Sequence, residues 1–169
     1  MKIYLIRHGD RVKHQLRPDV DEPLTPTEED QVKALARKLQ DEGVPTLFLS
    51  SRYNHALQTG KILQATMNPN APLISLKALT PIPADFALTD ISCEVKLAGQ
   101  DLSHHNTVAM IMHHPRQTQL GMILRGVDYQ KWRSDPELQP AEAICLTAET
   151  LEAFAKGEGL ERCRIYQGP

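Results

Sequence analysis

The stretch KIYLIRHG, residues 2–9, decides the fold of this chain. Its first five residues are rich in strand formers and a glycine closes the stretch, a pattern typical of a strand buried in a parallel sheet. Arg7 and His8 stand at the carboxyl end of that strand. Because open α/β sheets bind their ligands outside the carboxyl ends of the strands, the stretch predicts a guanidinium and an imidazole at a ligand site.

Strands and helices alternate along the rest of the chain. The clearest helix start has a cap at Thr25, a proline at the first helical position and Glu28 to complete a capping box, and Gly43 ends that helix. Further strands are predicted at 44–49, 72–75, 107–112, 143–147 and 162–166, and further helices from Ser50 or Ser51 to about 66, at 86–99, after Pro115 and near 149–156. This alternation predicts an α/β fold with a mostly parallel sheet, formed as a single domain over residues 1–169.

The composition excludes several classes of function. Charge is balanced, with 19 Lys and Arg against 21 Asp and Glu, so no global field would hold nucleic acid or an anionic membrane. No apolar stretch has the length of a signal-peptide core or a membrane span, and a cytoplasmic protein is expected. Cys93, Cys145 and Cys163 show no CxxC spacing, which disfavours a disulfide framework and a zinc site. Without HExxH or carboxylates at ligand spacing a metal hydrolase is also disfavoured, and no cofactor is predicted.

A second polar cluster, His113-His114-Pro115, also follows a predicted strand. His8 and His113 therefore leave two separate strands and are expected to face one crevice. A neutral imidazole can attack phosphorus while its other nitrogen donates to a fixed acceptor. Arg7, His113 as a positive donor and the helix amides after Pro115 would surround the phosphoryl oxygens. His114 is a further candidate for this pocket, and it fits equally well as a loop residue.

Five motifs in this order resemble the histidine phosphatase (phosphoglycerate mutase-like) superfamily. They are RHG at 7–9, PLT at 23–25, Gln31, the stretch from Ser50 to Thr59 with its serine pair and Gln-Thr pair, and H-x-P at 113–115. The short chain looks most like the small bacterial phosphohistidine phosphatases of the SixA type. The resemblance implies a three-layer α/β/α sandwich in which His8 is the phosphorylated nucleophile, Arg7 and His113 clamp the phosphate, and Gly9 contributes to phosphate binding.

Two features depart from the family pattern. The second arginine, expected three residues before the Gln-Thr pair, is His55 in this chain. Arg52 lies three residues earlier on the same predicted helix face and could supply the missing charge beside His55; Arg11, within RHGDR, offers another route. No glutamate is evident as a proton donor to the leaving group, and Asp85 and Asp90 are the nearest candidates.

A phosphohistidine substrate needs little help from an acid, because its imidazole leaving group protonates easily. We therefore expect a metal-independent phosphatase that works through phospho-His8 on a phosphorylated protein or a small phosphorylated substrate. One alternative is a regulatory domain of the same fold that binds phosphate but has lost efficient turnover through the change at His55. Another is a mutase acting on a sugar or glycerate phosphate, which the missing glutamate disfavours. No nucleic-acid or membrane partner is predicted, and the sequence sets no oligomeric state.

Overall fold

The first predicted strand lies inside a six-stranded sheet in the computed structural model, which describes residues 1–12, 18–81, 88–127 and 138–165. The strands are β1 (Lys2–Arg7), β2 (Leu47–Ser51), β3 (Leu73–Leu76), β4 (Thr107–Met112), β5 (Ala143–Thr147) and β6 (Leu160–Ile165). Their order across the sheet is β3-β2-β4-β1-β5-β6. The first four strands pair in parallel and the last two are antiparallel. The predicted mostly parallel sheet is confirmed.

Helices cover both faces of this sheet. In the described ranges they are α1 (Pro26–Glu42), α2 (Asn54–Met67), α3 (Leu88–Leu97), α4 (Arg116–Arg125) and α5 (Leu151–Ala155). Successive side chains of a strand point to opposite faces. Accordingly, Tyr4 and Ile6 pack in one core with α1 and α2, whereas Ile3 and Leu5 pack in the other with α3, α4 and α5. The predicted three-layer α/β/α sandwich is confirmed.

No helix in the described part of the chain combines the length and the apolar character that crossing a membrane requires.

The first helix begins and ends where its sequence signals predict. The Thr25 hydroxyl accepts a hydrogen bond from the N–H of Glu28 at 3.2 Å, and Pro26 occupies the first helical position. The last turn closes when the N–H of Gly43 donates to the carbonyl of Leu39. Gly43 has a φ of 143°, a backbone conformation that side-chain-bearing residues rarely adopt.

The second strand and the second helix differ from prediction at their boundaries. Pairing of β2 with β3 and β4 extends the strand through Ser50 and Ser51, the two residues predicted to cap the helix. The helix instead has Tyr53 at its N-cap, with no side-chain hydrogen bond there. The physical reason is that both serine side chains are already engaged: Ser50 Oγ bonds the carbonyl of Ser51, and Ser51 Oγ bonds His113.

The candidate site forms where three parallel strands end together. β4 lies between β1 and β2, with Arg7 in register with Met112 and Ser50 in register with Ile111. The residues that leave these strands, His8 after β1 and His113 after β4, therefore lie side by side at the carboxyl edge of the sheet.

Candidate active site

Three histidines from three separate elements converge at this edge. His8 follows β1, His113 follows β4, and His55 lies in the first turn of α2. Ring centroids are 4.3 Å apart for His8 and His55, 4.6 Å for His8 and His113, and 5.1 Å for His55 and His113. All three are buried, with exposed fractions of 5, 0 and 4% for His8, His55 and His113. The structure thus brings the two strand-end histidines together and packs His55 against both.

Hydrogen bonding fixes which nitrogen of His8 carries the proton. Its Nδ1 lies 2.6 Å from the carbonyl oxygen of Gly9. A carbonyl can only accept, so Nδ1 carries the proton and Nε2 keeps its lone pair. Burial lowers the pKa of His8 to about 3, and repulsion by His55 and then by Arg7 and Arg11 adds to this effect. The ring is therefore neutral at pH 7, with its lone pair on Nε2.

His113 belongs to a chain of side-chain contacts. Its Nε2 lies 2.7 Å from Ser51 Oγ, and its Nδ1 lies 3.4 Å from His55 Nε2. His55 Nδ1 in turn donates to the carbonyl oxygen of Glu22 at 3.1 Å. Because the neutral His55 ring carries its proton on Nδ1, its Nε2 accepts from His113 Nδ1–H, and the Ser51 hydroxyl then donates to His113 Nε2.

Burial favours the neutral form of His113, whereas the sequence analysis predicted a positively charged donor to phosphate. Burial lowers the pKa of His113 to about 2, and repulsion by His8 and His55, then by Arg11 and Arg7, contributes as well. The sequence could not show this, because the shift comes from how completely packing removes the ring from water. His113 can still present an N–H or a lone pair, depending on the direction in which Ser51 shares its proton.

Two arginines supply permanent positive charge near the histidines. Arg7 donates from Nη1 to the carbonyl oxygen of Leu138 at 2.6 Å, and its buried Nε makes no hydrogen bond within the described ranges. Arg11 forms an ion pair through its Nε with the carboxylate of Glu22. That carboxylate belongs to a residue only 4% exposed. Much of the Arg11 charge is thus offset locally.

Arg52 is exposed at the end of β2, and the guanidinium charges that act on His8 are those of Arg7 and Arg11. Of the two arginines proposed to compensate for His55, Arg11 is therefore the one that the fold places within electrostatic reach of His8.

Gly9 is held tightly by its surroundings. Its N–H donates to Thr59 Oγ at 3.2 Å, and the same hydroxyl donates to the carbonyl of His55 at 2.8 Å. A Cβ at position 9 would come within 3.0 Å of Leu24 Cδ2 and 3.1 Å of Glu28 Cβ. Gly9, predicted to contribute to phosphate binding, thus uses its N–H to bond Thr59 and its carbonyl oxygen to bond His8 Nδ1.

Of the remaining predicted site residues, two are described. His114 is half-buried beside Pro115, the N-cap of α4. Asp90 is exposed in the first turn of α3. Asp85 lies outside the described residues.

The structure adds residues that the sequence analysis did not place in the site. Ser51 was interpreted as a helix cap. The sequence signal that could have placed it in the site was the serine pair at 50–51, which belongs to one of the five motifs. The ring of Tyr53 lies 4.8 Å from that of His113, centroid to centroid. Glu22 sits in a mixed-charge loop with no periodic pattern, and no local signal could have identified its contacts with His55 and Arg11.

Known proteins resemble this chain in part of its sequence and in its fold. The model of the histidine phosphatase superfamily (branch 1) matches residues 3–83. Curated protein sequences gave no match. The structure of the protein histidine phosphatase SixA complexed with tungstate is 21% identical, with a TM-score of 0.76, over 98% of this chain and 96% of that chain.

Two further structures are putative phosphohistidine phosphatases SixA. The one from Agrobacterium tumefaciens is 15% identical, with a TM-score of 0.72, over 98% of this chain and 97% of that chain. The one from Nakamurella multipartitia is 18% identical, with a TM-score of 0.70, over 98% of this chain and 95% of that chain. The family model over residues 3–83 confirms the resemblance to the histidine phosphatase superfamily that was predicted from five motifs. The solved structures show that the fold is shared.

Proposed function

We propose that this chain is a phosphatase that transfers a phosphoryl group to His8 Nε2 and then to water. The observation that carries the proposal is the hydrogen bond from His8 Nδ1 to the carbonyl of Gly9. It leaves a neutral imidazole with one free lone pair, held rigidly against two further histidines. The similarity to SixA proteins, one of them complexed with tungstate, supports a site for a tetrahedral oxyanion.

In the first step the Nε2 lone pair of His8 attacks phosphorus. An N–P bond forms as the bond from phosphorus to the leaving group breaks, and the leaving group takes up a proton from water. The proton on His8 Nδ1 remains bonded to Gly9, so the positive charge that develops on the ring is stabilised by a carbonyl oxygen. In the second step water attacks phosphorus, the N–P bond breaks, and His8 returns to its neutral form.

Charge on the transferring phosphoryl group is held by Arg7 and by the His113 chain. A dianion beside these rings favours their protonated forms, because an opposite charge within about 4–6 Å raises the pKa of a base. The protonated His113 then donates from Nδ1 to a phosphoryl oxygen in place of His55 Nε2, while Ser51 Oγ accepts from its Nε2–H and holds the ring. Arg11 adds long-range attraction, reduced by its ion pair with Glu22.

The preferred substrate is a phosphohistidine on a protein, with a small phosphoester as the next candidate. The imidazole of a phosphohistidine leaves readily once it is protonated, so its release needs less acid catalysis from the site than the release of an alkoxide from an alkyl ester. The chain works as a single domain over residues 1–169, in the cytoplasm, and without a metal or other cofactor in its reaction.

Detection of the phosphorylated His8 intermediate tests the proposal. The protein is mixed with a substrate carrying a radioactive phosphohistidine and quenched in alkali, in which phosphohistidine persists. We expect label on the unmodified chain and on His104→Ala, a control that removes an exposed histidine outside the cluster, and none on His8→Ala. Label retained by His8→Ala would refute the assignment of the nucleophile.

The charge balance of the pocket favours one alternative, a phosphate-binding regulatory domain with weak turnover. His55 replaces a permanent cation, and Glu22 offsets Arg11. Steady-state hydrolysis of an aryl phosphate decides between the two. His55→Arg should raise the rate about tenfold or more, since a hydrogen bond to a charged group contributes about 1.5–3 kcal/mol. Substantial wild-type turnover, with no gain in the variant, would show that another group already supplies the charge and would exclude the regulatory alternative.

A further inference from the structure

The replacement at position 55 creates a group of nitrogen ligands. His8, His55 and His113 each offer one ring nitrogen to a set in which these atoms lie within 4.8 Å of one another. His55 Nε2 and His113 Nδ1 are 3.4 Å apart. Two nitrogens bound at about 2.0–2.1 Å to one tetrahedral Zn²⁺ are separated by about 3.4 Å. Two of the three ligands therefore already have the spacing of a zinc site.

The outer nitrogen of every ring is already held by an oxygen. His8 Nδ1 donates to the carbonyl of Gly9, and His55 Nδ1 donates to the carbonyl of Glu22. His113 Nε2 lies 2.7 Å from Ser51 Oγ, which accepts its proton when the ring takes the Nε2–H tautomer. Histidine ligands of metals are oriented in this way, by a carbonyl, carboxylate or other acceptor on the nitrogen away from the metal.

We propose that these three histidines bind one Zn²⁺ ion, and that the bound ion blocks the phosphoryl transfer proposed above. The inner nitrogens, His8 Nε2, His55 Nε2 and His113 Nδ1, are the ligands. The fourth position stays open to water, as in zinc sites with three protein ligands. The inhibitory part rests on the proposed function, because the lone pair of His8 Nε2 cannot bind zinc and attack phosphorus at the same time.

The charges near the cluster set the strength of binding. Arg7 and Arg11 oppose a cation at this point, whereas the buried carboxylate of Glu22 offsets Arg11 through their ion pair. The balance favours a reversible inhibitory ion over a permanently held one. An arginine at position 55 would remove one ligand and add one positive charge, so both changes would weaken zinc binding.

The test measures metal binding without relying on activity. Metal-free protein is titrated with Co²⁺, whose visible absorption reports tetrahedral coordination, and with Zn²⁺ in competition. We expect one equivalent bound by wild type and by the His104→Ala control. His55→Arg and His55→Gln should bind at least about 100-fold more weakly, since loss of a ligand exceeds the cost of losing a partner in the outer shell. Zn²⁺ should raise the thermal midpoint of wild type but of neither variant at position 55.

Hydrolysis of an aryl phosphate is then followed in the same samples. We expect Zn²⁺ to inhibit wild type reversibly and to leave His55→Arg active at that concentration. Equal zinc binding by wild type and both variants, or no binding by wild type, would overturn the metal site. Activation by zinc would overturn the inhibitory role. Zinc binding by a wild-type protein that never forms the labelled intermediate would support the metal site while refuting the proposed function.

Discussion

Acid should destabilise this protein through its buried histidines, and His8→Asn should reduce that effect by a predictable amount. In the folded protein the pKa of His8 is lowered to about 3 and that of His113 to about 2, mainly by burial. In the unfolded chain both titrate near 6.5. Below pH 6.5 the unfolded state therefore binds protons that the folded state does not. The stability that the two neutral histidines contribute is complete above pH 6.5 and is lost as the pH falls toward 3.

The size of the effect follows from these pKa values. Between pH 7 and pH 5, each of the two histidines lowers the free energy of unfolding by about 2 kcal/mol, which gives about 4 kcal/mol for the pair. His8→Asn keeps an N–H near the carbonyl of Gly9 but cannot titrate. The variant should therefore lose about 2 kcal/mol less than wild type over the same change in pH.

Urea unfolding at pH 7 and at pH 5 measures the effect. The difference between the two pH values is taken for each protein first, so the intrinsic cost of the substitution and the titration of all other groups cancel. His104→Asn, which changes an exposed histidine outside the cluster, serves as the matched control and should show a smaller difference from wild type. The same loss between pH 7 and pH 5 in wild type and His8→Asn would refute a neutral, buried His8.

The other predictions concern activity and packing at the same site. Between pH 7 and pH 5, kcat/KM corrected for ionisation of the substrate should stay level, because the pKa of His8 is lowered to about 3; a decline of about 25-fold would indicate an ordinary imidazole. Ser51→Ala should reduce kcat more than Ser50→Ala, since both serines are fully buried but only Ser51 bonds His113; equal rates would contradict the positioning role. Gly9→Ala should cost about 1–3 kcal/mol in urea unfolding, because the added Cβ would meet side chains at 3.0–3.1 Å; wild-type stability would contradict the tight packing.

Local signals in the sequence accounted for most of the fold. The run of strand formers in β1, the caps of α1 and the polar residues after β4 are each recognised from neighbours a few positions away. Such signals can be recognised without knowledge of the tertiary structure, and β4 and β5 were predicted with their observed bounds. The start of α2 was wrong because Ser51 pairs in the sheet and bonds His113, contacts that join residues far apart in sequence.

The candidate site was only partly predictable for the same reason. Two strand ends and one motif indicated that His8, Arg7 and His113 belong together. The hydrogen bond of His55 to the carbonyl of Glu22 joins residues 33 positions apart, and no spacing pattern encodes it. Protonation was the least predictable property, because the neutral state of His113 depends on its burial, which becomes known only when the surrounding helices and loops are placed.

One structural property links the three behaviours inferred for this site. Each ring nitrogen that faces outward from the cluster is held by an oxygen of Gly9, Glu22 or Ser51, and burial keeps His8 and His113 neutral. A neutral ring with one hydrogen-bonded nitrogen can attack phosphorus and can bind zinc through its other nitrogen. Because the buried ring resists protonation, it also makes the folded protein less stable in acid. Placing a permanent cation at position 55 would strengthen phosphoryl transfer and remove zinc binding. When His55 is replaced by arginine, the rate of phosphate hydrolysis should therefore rise while inhibition by zinc falls. A His55 with only a packing role would not produce these opposite changes.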